Sequence, residues 1–285
     1  MKASGTLYVV GTPIGNLDDM SDRVRRTLTD VAVCFAEDTR RTGRLLGRIG
    51  SSVKLRSLHA HNEEARTREI LDCLSAGQSI ALVSDAGTPG VSDPGRRSVA
   101  AVRTAGFPVM PVPGPSAVPT ALSVSGLPAD RFLFAGFAPR KGKARSEWFD
   151  EVERSPVTVV MFEAPGRLGD LLAALSERGL GERHVVVCRE LTKLHEEIRS
   201  GTATELATVY RDETVKGEVT VVMEGCGPEP APEFDAADVL AVALEMRDAG
   251  EGQRAIAAAL RERFGLTRNE AYRMSLGPSN VDGHD

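Results

Sequence analysis

Two glycine-rich loops are the segments of this chain best suited to chemistry. Gly11-Thr12-Pro13-Ile14-Gly15-Asn16-Leu17 follows the apolar run TLYVV and precedes a helical pattern near Ser21. Ser84-Asp85-Ala86-Gly87-Thr88-Pro89-Gly90-Val91-Ser92-Asp93-Pro94-Gly95 follows the run IALVS. Glycine lets the main chain approach a ligand closely, and a strand that empties into such a loop brings backbone donors to a helix start. The first loop serves equally well as a tight turn. The second is longer than a simple connection requires, and it puts an acid at a strand's carboxyl end, where open parallel sheets bind ligands. Neither loop carries GxGxxG or GxxxxGK[ST], so the dinucleotide and P-loop readings lack their defining residues.

Two further polar segments follow strand-like runs. Ala36-Glu37-Asp38-Thr39-Arg40-Arg41 sets two carboxylates and two guanidiniums at the end of VCFA, which suits either an ion-pair network at a helix start or proton transfer. His59-Ala60-His61-Asn62-Glu63-Glu64 contains an HxH pair without a third ligand at sensible spacing, so no metal site is expected. The pair could instead donate hydrogen bonds to a polar substrate.

The elements that must position these loops alternate. Short β-branched runs fall at residues 6–10, 32–36, 80–84, 108–112, 131–135, 157–162, 184–189 and 219–223. Helical patterns fall between them, notably at 21–29, 63–75, 96–105 and 167–176. This alternation predicts an α/β fold with mostly parallel sheets covered on both faces, and the near-continuous apolar runs VTVVMF and HVVVC agree with double-sided burial. VPGPS at 112–116 marks a border between two α/β units, and the proline-rich stretch 225–232 reads as a stiff linker. The expected domains are residues 1–116, 117–228 and a helical tail at 229–285, with helices at 235–247, 253–263 and 267–274 and N-caps at Asp235 and Thr267. Three short helices with glycine turns permit a helix-turn-helix-like unit.

Composition bounds the possibilities. Of 285 residues, 41% are hydrophobic and 26% charged, a globular profile, and the longest apolar runs are strand-sized, so neither a membrane span nor a signal peptide is expected. Cys34, Cys73, Cys188 and Cys226 lie far apart without a CxxC pair, which favours reduced thiols in the cytoplasm over disulfides or zinc. The net charge of −5 is uneven: residues 231–285 hold ten acids and six bases, so the remainder is nearly neutral. Within it bases cluster at Arg23, Arg25 and Arg26, at Arg40, Arg41, Arg44 and Arg48, and at Arg140, Lys141, Lys143 and Arg145. A chain near neutrality can still present a local phosphate-binding surface.

The order of motifs is more specific than any one of them. GTLYVVGTPIGNL, AEDTR, HAHNE, SDAGTPGVSDPG, VPGPSA, FAGFAPRK and MFEAP together resemble the RsmI family, the small-subunit ribosomal RNA (cytidine-2′-O)-methyltransferases of the tetrapyrrole-methylase superfamily. The resemblance spans about residues 5–225, and the helical tail is similar to a small C-terminal domain in many members. It implies S-adenosylmethionine as methyl donor, held in a cleft between two α/β domains, and a homodimer. It also implies a decoding-centre cytidine of 16S ribosomal RNA as target, in an assembled small subunit. For donor binding it implies Ser84, Asp85, Ala86, Gly87 and Val91 of the second loop, then Ser116 and Ala117. In the second domain it implies Phe162, Glu163 and Ala164, Cys188 and Arg189, and Glu218 and Val219 after Gly217. Pro13 and Asn16 fall to substrate approach, and Arg40, Arg41, Arg140, Lys141, Lys143 and Arg145 to phosphate contacts that position RNA without reading its sequence. A ribose hydroxyl is a weak acid, so Glu37, Asp38, His59 and His61 are the candidates for accepting its proton, with positioning alone as the alternative. One tryptophan and three tyrosines leave few stacking platforms for bases.

Two other readings compete. A methyltransferase of the same fold acting on a tetrapyrrole would use its basic patches for carboxylates, and AEDTR with HAHNE favours the RNA branch. A helix-turn-helix regulator with a metabolite-sensing α/β part would need a basic tail, whereas this tail carries −4.

Overall fold

The computed structural model describes residues 4–227 and 235–276. The chain divides into two compact units, Met1–Cys226 and Gly227–Asp285. The first unit contains two five-stranded sheets.

The N-terminal sheet uses β1 (Leu7–Val10), β2 (Val33–Ala36), β3 (Lys54–Ser57), β4 (Ile80–Val83) and β5 (Val109–Val112) in the order β3-β2-β4-β1-β5, all parallel. Its helices are α1 (Asp22–Asp30), α2 (Thr39–Arg48), α3 (Glu63–Ser75) and α4 (Arg96–Thr104). Side chains alternate across each strand, so Cys34, Ala36, Ala81 and Val83 pack with Val24, Leu28 and Leu46 of α1 and α2. Val33, Phe35, Ile80 and Leu82 meet Ile70, Leu74 and Val102 of α3 and α4 on the other face. Both faces are covered, as the apolar runs require.

After Ser116 the chain enters α5 (Ala117–Ser125) and then β6 (Phe132–Phe137), α6 (Lys143–Arg154), β7 (Thr158–Glu163), α7 (Leu168–Leu175), β8 (His184–Arg189), β9 (Glu197–Thr202), α8 (Ala203–Tyr210) and β10 (Val219–Met223). The sheet order is β6-β7-β10-β8-β9. Here the expectation of mostly parallel pairing is corrected: β6–β7 is parallel, but β10 runs antiparallel to β7 and β8, and β8 to β9. An unbroken apolar run reports two covered faces and says nothing of strand direction. One face packs under α6, α7 and α8, through Trp148, Leu171 and Leu206 among others. The other, through Val160, Val186, Cys188 and Val222, packs against Val118, Ala121 and Leu122 of α5 and against Ile14 and Ala86 of the N-terminal loops. That second face therefore brings the two glycine loops onto the second sheet.

The unit 227–285 is described by its own packing. Helices α9 (Ala236–Asp248), α10 (Gln253–Phe264) and α11 (Arg268–Leu276) bury Val239, Ala243, Ile256, Leu260, Phe264 and Ala271. Asp235 accepts the Ala237 N–H and Thr267 the Glu270 N–H, the two cap bonds expected. Most of the proline-rich stretch, with the boundary near 229, lies outside the described residues. Among those described, no helix is long and apolar enough to cross a membrane.

Candidate active site

The site is built where β1 and β4 end side by side. Gly11 and Gly114 approach so closely that a Cβ on either would fall within 2.7 Å of the other's main chain, which fixes the exits of β1 and β5. The two glycine loops then zip together: Thr12 and Gly87 exchange both backbone bonds at 2.9 and 3.1 Å. Gly87 takes φ +72°, the left-handed conformation that favours glycine. Ser92, on the far limb of the same loop, holds a positive φ of 61° without that relief.

Between these loops and the second sheet lies a cavity of about 260 Å³. Ile14, Ala86, Gly87, Val91, Ser116 and Ala117 form the N-terminal wall, and Phe137, Phe162, Ala164, Gly217 and Val219 the opposite one. Phe162 sits in register with Thr220 and Cys188 across β7, β10 and β8, and its ring meets Phe134 at 5.0 Å and Phe137 at 5.4 Å. The cavity is largely apolar, yet Asp93 and Glu218 stand in its wall. Apolar slots, main chain from two glycine turns and two carboxylates form a donor set that fits a flat heterocycle attached to a sulfonium cation.

Of the residues expected at the donor, Ala86, Gly87, Val91, Ser116, Ala117, Phe162, Glu163, Ala164, Glu218 and Val219 line this cavity. Glu163 is in phase with Val159 and Met161 of the opposite face; its carboxylate pairs with Arg167 and accepts the Ala164 N–H, which leaves its main chain for the cavity. Ser84 and Asp85 line a recess on the other side of the loop. Asp85 accepts the Asp38 N–H at 2.8 Å and lies 3.4 Å from Arg41. Cys188 is buried against Ile14 and Leu191, with its thiol pushed up to about 11 by that burial. Arg189 points its guanidinium at Glu197, 2.9 Å away. Neither Cys188 nor Arg189 is part of the cavity wall.

The candidate proton acceptors separate clearly. Asp38 caps α2 and pairs with Arg40 at 2.9 Å; that hydrogen-bonded pairing lowers its carboxyl to about 2, leaving a poor base. Glu37 makes no ion pair among the described residues, and burial, then the neighbouring carboxylates of Asp93 and Asp85, raise its pKa. Asp93 is raised as well, first by burial and then by Asp85, although Ser84 hydrogen-bonds to it. Asp93 lines both the cavity and an adjoining recess that holds Glu37. The sequence predicts a ligand role for the loop containing Asp93, but nothing in it distinguishes this acid from Asp85.

His59 and His61 meet edge to face at 6.1 Å outside the cavity, and Asn62 accepts the His59 N–H to close their turn. The acid of HAHNE serves the fold. Glu63 is buried and accepts the Gly95, Arg97 and Ser98 N–H groups at the start of α4. No group of side chains that could hold a metal ion occurs among the described residues. Asn16 caps a short turn through the Asp18 N–H, while Pro13 lines the recess beside Asp85. Arg140 and Lys141 are exposed beyond Phe137. Lys143 pairs with Glu147, and Arg145 folds back over Phe149 and donates to the Pro139 carbonyl.

Comparison with known proteins agrees with this architecture. Residues 6–207 match the model of the tetrapyrrole (corrin/porphyrin) methylases. The chain is 41% identical to a ribosomal RNA small subunit methyltransferase I of Synechocystis sp., covering 95% of this chain and 98% of that one. It is 45% identical to the protein of that name from Halalkalibacterium halodurans, over 80% of this chain and 79% of the relative. Among solved structures, uroporphyrin-III-C-methyltransferase from Thermus thermophilus superposes with a TM-score of 0.55 at 23% identity, over 76% of this chain and 94% of that one, which shows a shared fold. A family match across both sheets, together with relatives alike over nearly the whole chain, makes this protein a member of the ribosomal RNA small subunit methyltransferase I family within the tetrapyrrole methylases.

Proposed function

We propose that this enzyme transfers the methyl group of S-adenosylmethionine to the ribose 2′-oxygen of a decoding-centre cytidine in 16S ribosomal RNA. It acts on the assembled small subunit in the cytoplasm, as a homodimer. The observation that carries this reading is the mostly apolar cavity with Asp93 and Glu218 in its wall, in a chain so close to the ribosomal RNA methyltransferases. The donor supplies an electrophilic methyl group, and the protein aligns it with the hydroxyl. Ala86, Gly87, Ser116, Ala117, Phe162, Ala164 and Val219 hold the donor, and Glu218 and Asp93 place negative charge near its cationic end. The raised carboxyl groups of Glu37 and Asp93 are the best proton acceptors, because a group titrating closer to neutrality is the more effective base. As the oxygen–carbon bond forms and the carbon–sulfur bond breaks, the hydroxyl proton passes to this pair. Exposed Arg140 and Lys141, with Arg41, are assigned to RNA phosphates.

The test is incubation of the enzyme with radiolabelled donor and either small ribosomal subunits or porphyrinoid precursors. Label at a ribose 2′-position of 16S RNA is expected. Label in the macrocycle alone would overturn the reading in favour of the tetrapyrrole alternative.

A further inference from the structure

Helix α2 carries a row of cations beside the donor cavity. Arg41, Arg44 and Arg48 recur at three- and four-residue spacing, so they share one face while Thr42 and Leu46 are buried. Arg40, at four-residue spacing from Arg44, is held by Asp38 and does not line the recesses beside this row. The row borders a recess of about 240 Å³ whose floor includes Thr12, Pro13 and Gly15 of the first glycine loop. A second recess of about 310 Å³ shares Pro13, Gly15, Arg41, Arg44 and Asp85 with the first and adds Lys193 from the turn between β8 and β9. That second recess in turn shares Ile14, Ala86 and Glu218 with the donor cavity. The three are thus contiguous from the donor to Arg48.

Charge in this trough is unbalanced. Its two lining carboxylates already have partners: Asp85 takes the Asp38 N–H and Arg41, and Glu218 takes Lys193 at 2.9 Å, while Glu190 also holds Lys193 at 2.6 Å, so the excess charge is that of Arg44 and Arg48. Arg44 and Arg48 are exposed and make no ion pair or hydrogen bond among the described residues. Two uncommitted guanidiniums on a rigid helix, opening onto a glycine loop, favour a ligand that carries repeated negative charge along a chain.

We infer that the trough formed by Arg41, Arg44, Arg48 and Lys193 binds the phosphodiester backbone of the RNA strand next to the target nucleotide. The inference rests on the ribosomal RNA reading and extends it to a path: the strand follows α2 and delivers its ribose past Pro13 and Asp85 to the donor. Arg41, 3.8 Å from Glu218, stands where the trough meets the cavity.

The experiment compares wild type, Arg44→Ala/Arg48→Ala, Arg44→Lys/Arg48→Lys and, as a control for lost surface charge, Arg68→Ala/Arg103→Ala. Each intact protein is titrated with a fluorescent single-stranded oligocytidylate across a salt series, with donor by calorimetry, and with small subunits in steady-state methylation. The alanine pair is expected to lower the logarithmic salt slope by about 1.4, at roughly 0.7 per phosphate contact. It should also raise KM for subunits with kcat nearly kept, as lost uniform binding does. Donor affinity and melting should be unchanged, and the lysine pair should restore most of the slope. An alanine pair with the wild-type slope and KM would overturn the trough, even where wild type methylates subunits normally. Failure of wild type to methylate subunits would overturn the RNA reading, and an oligocytidylate slope equal in all four proteins would then dispose of the trough as well.

Discussion

At the scale of single residues, Glu37 distinguishes chemistry from packing. Its carboxyl is raised by burial and by Asp93 and Asp85, so the ionised form is disfavoured in the folded protein. For such a group the folded state holds the proton more tightly than the unfolded state. The cost to stability therefore appears as pH rises through the carboxylate range and is fully present at neutral pH. Glu37→Gln should melt no lower than wild type at pH 7 and show no such advantage at the acid end of the range, as followed by thermal melts across pH. The same substitution should slow single-turnover methylation by roughly 10²–10⁴-fold with donor affinity kept, the span expected for a lost general base. A variant that methylates normally would leave Asp93 as the acceptor. Asp85 belongs to a different argument. Its carboxylate braces the start of α2 through Asp38 and Arg41, so Asp85→Asn should disturb KM for subunits more than calorimetric donor affinity.

Much of this was readable from residues, and the exceptions have physical causes. The glycine loops and the caps at Asp235 and Thr267 follow from local chemistry, whereas the cavity residues from Ala86 to Val219 were implied by the family resemblance of the motifs. Asp93 and Asp85 occupy one loop and differ only in where the fold turns each carboxylate. Arg145 stands in a basic run in the sequence, and in the fold it stacks on Phe149 one turn further along α6 and donates to the Pro139 carbonyl. Cys188 and Arg189 were adjacent candidates, yet strand alternation sends them to opposite faces: Cys188 shares the face of Phe162 but is covered by Ile14 and Leu191, and Arg189 turns away to Glu197.

At the scale of elements, the cleft depends on two backbones meeting at the ends of β1 and β5. A Cβ on Gly114 would lie 2.4 Å from the Gly11 carbonyl oxygen, with no flexible side chain to give way. Gly114→Ala should therefore cost on the order of 2 kcal/mol or more and lower Tm by several degrees, measurable by calorimetry. Gly87→Val tests something else. There a Cβ would find its nearest neighbours at 3.6 and 3.8 Å, so the strain comes from φ +72° and the valine branches would enter the cavity. Donor affinity should fall at least about tenfold, or roughly 1.4 kcal/mol, in a protein that still folds. The strands absent from the sequence reading, β3 (KLRS) and β9 (EIRSGT), are both sheet edges. An edge keeps charge to discourage further pairing, and this removes the apolar signal by which central strands are found.

At the scale of the whole molecule, two α/β halves contribute unequally to one site. The parallel half supplies the glycine loops, the carboxylates and the arginine row of α2. The mixed half supplies the aromatic wall and Glu218, with Lys193 reaching toward the trough. VPGPS falls where β5 gives way to α5, and the antiparallel pairing of β10 was not visible in the sequence, because composition carries burial rather than direction. The central claim is that this joint cavity aligns a methyl donor with a ribose hydroxyl of small-subunit RNA. The most direct measurement incubates wild-type enzyme and labelled S-adenosylmethionine with unmethylated small subunits and then maps the label by nuclease digestion and mass spectrometry. The account predicts stoichiometric label on the 2′-oxygen of one decoding-centre cytidine, lost with Gly87→Val. Label on a base, or none on the RNA from an enzyme that binds the donor, would contradict it.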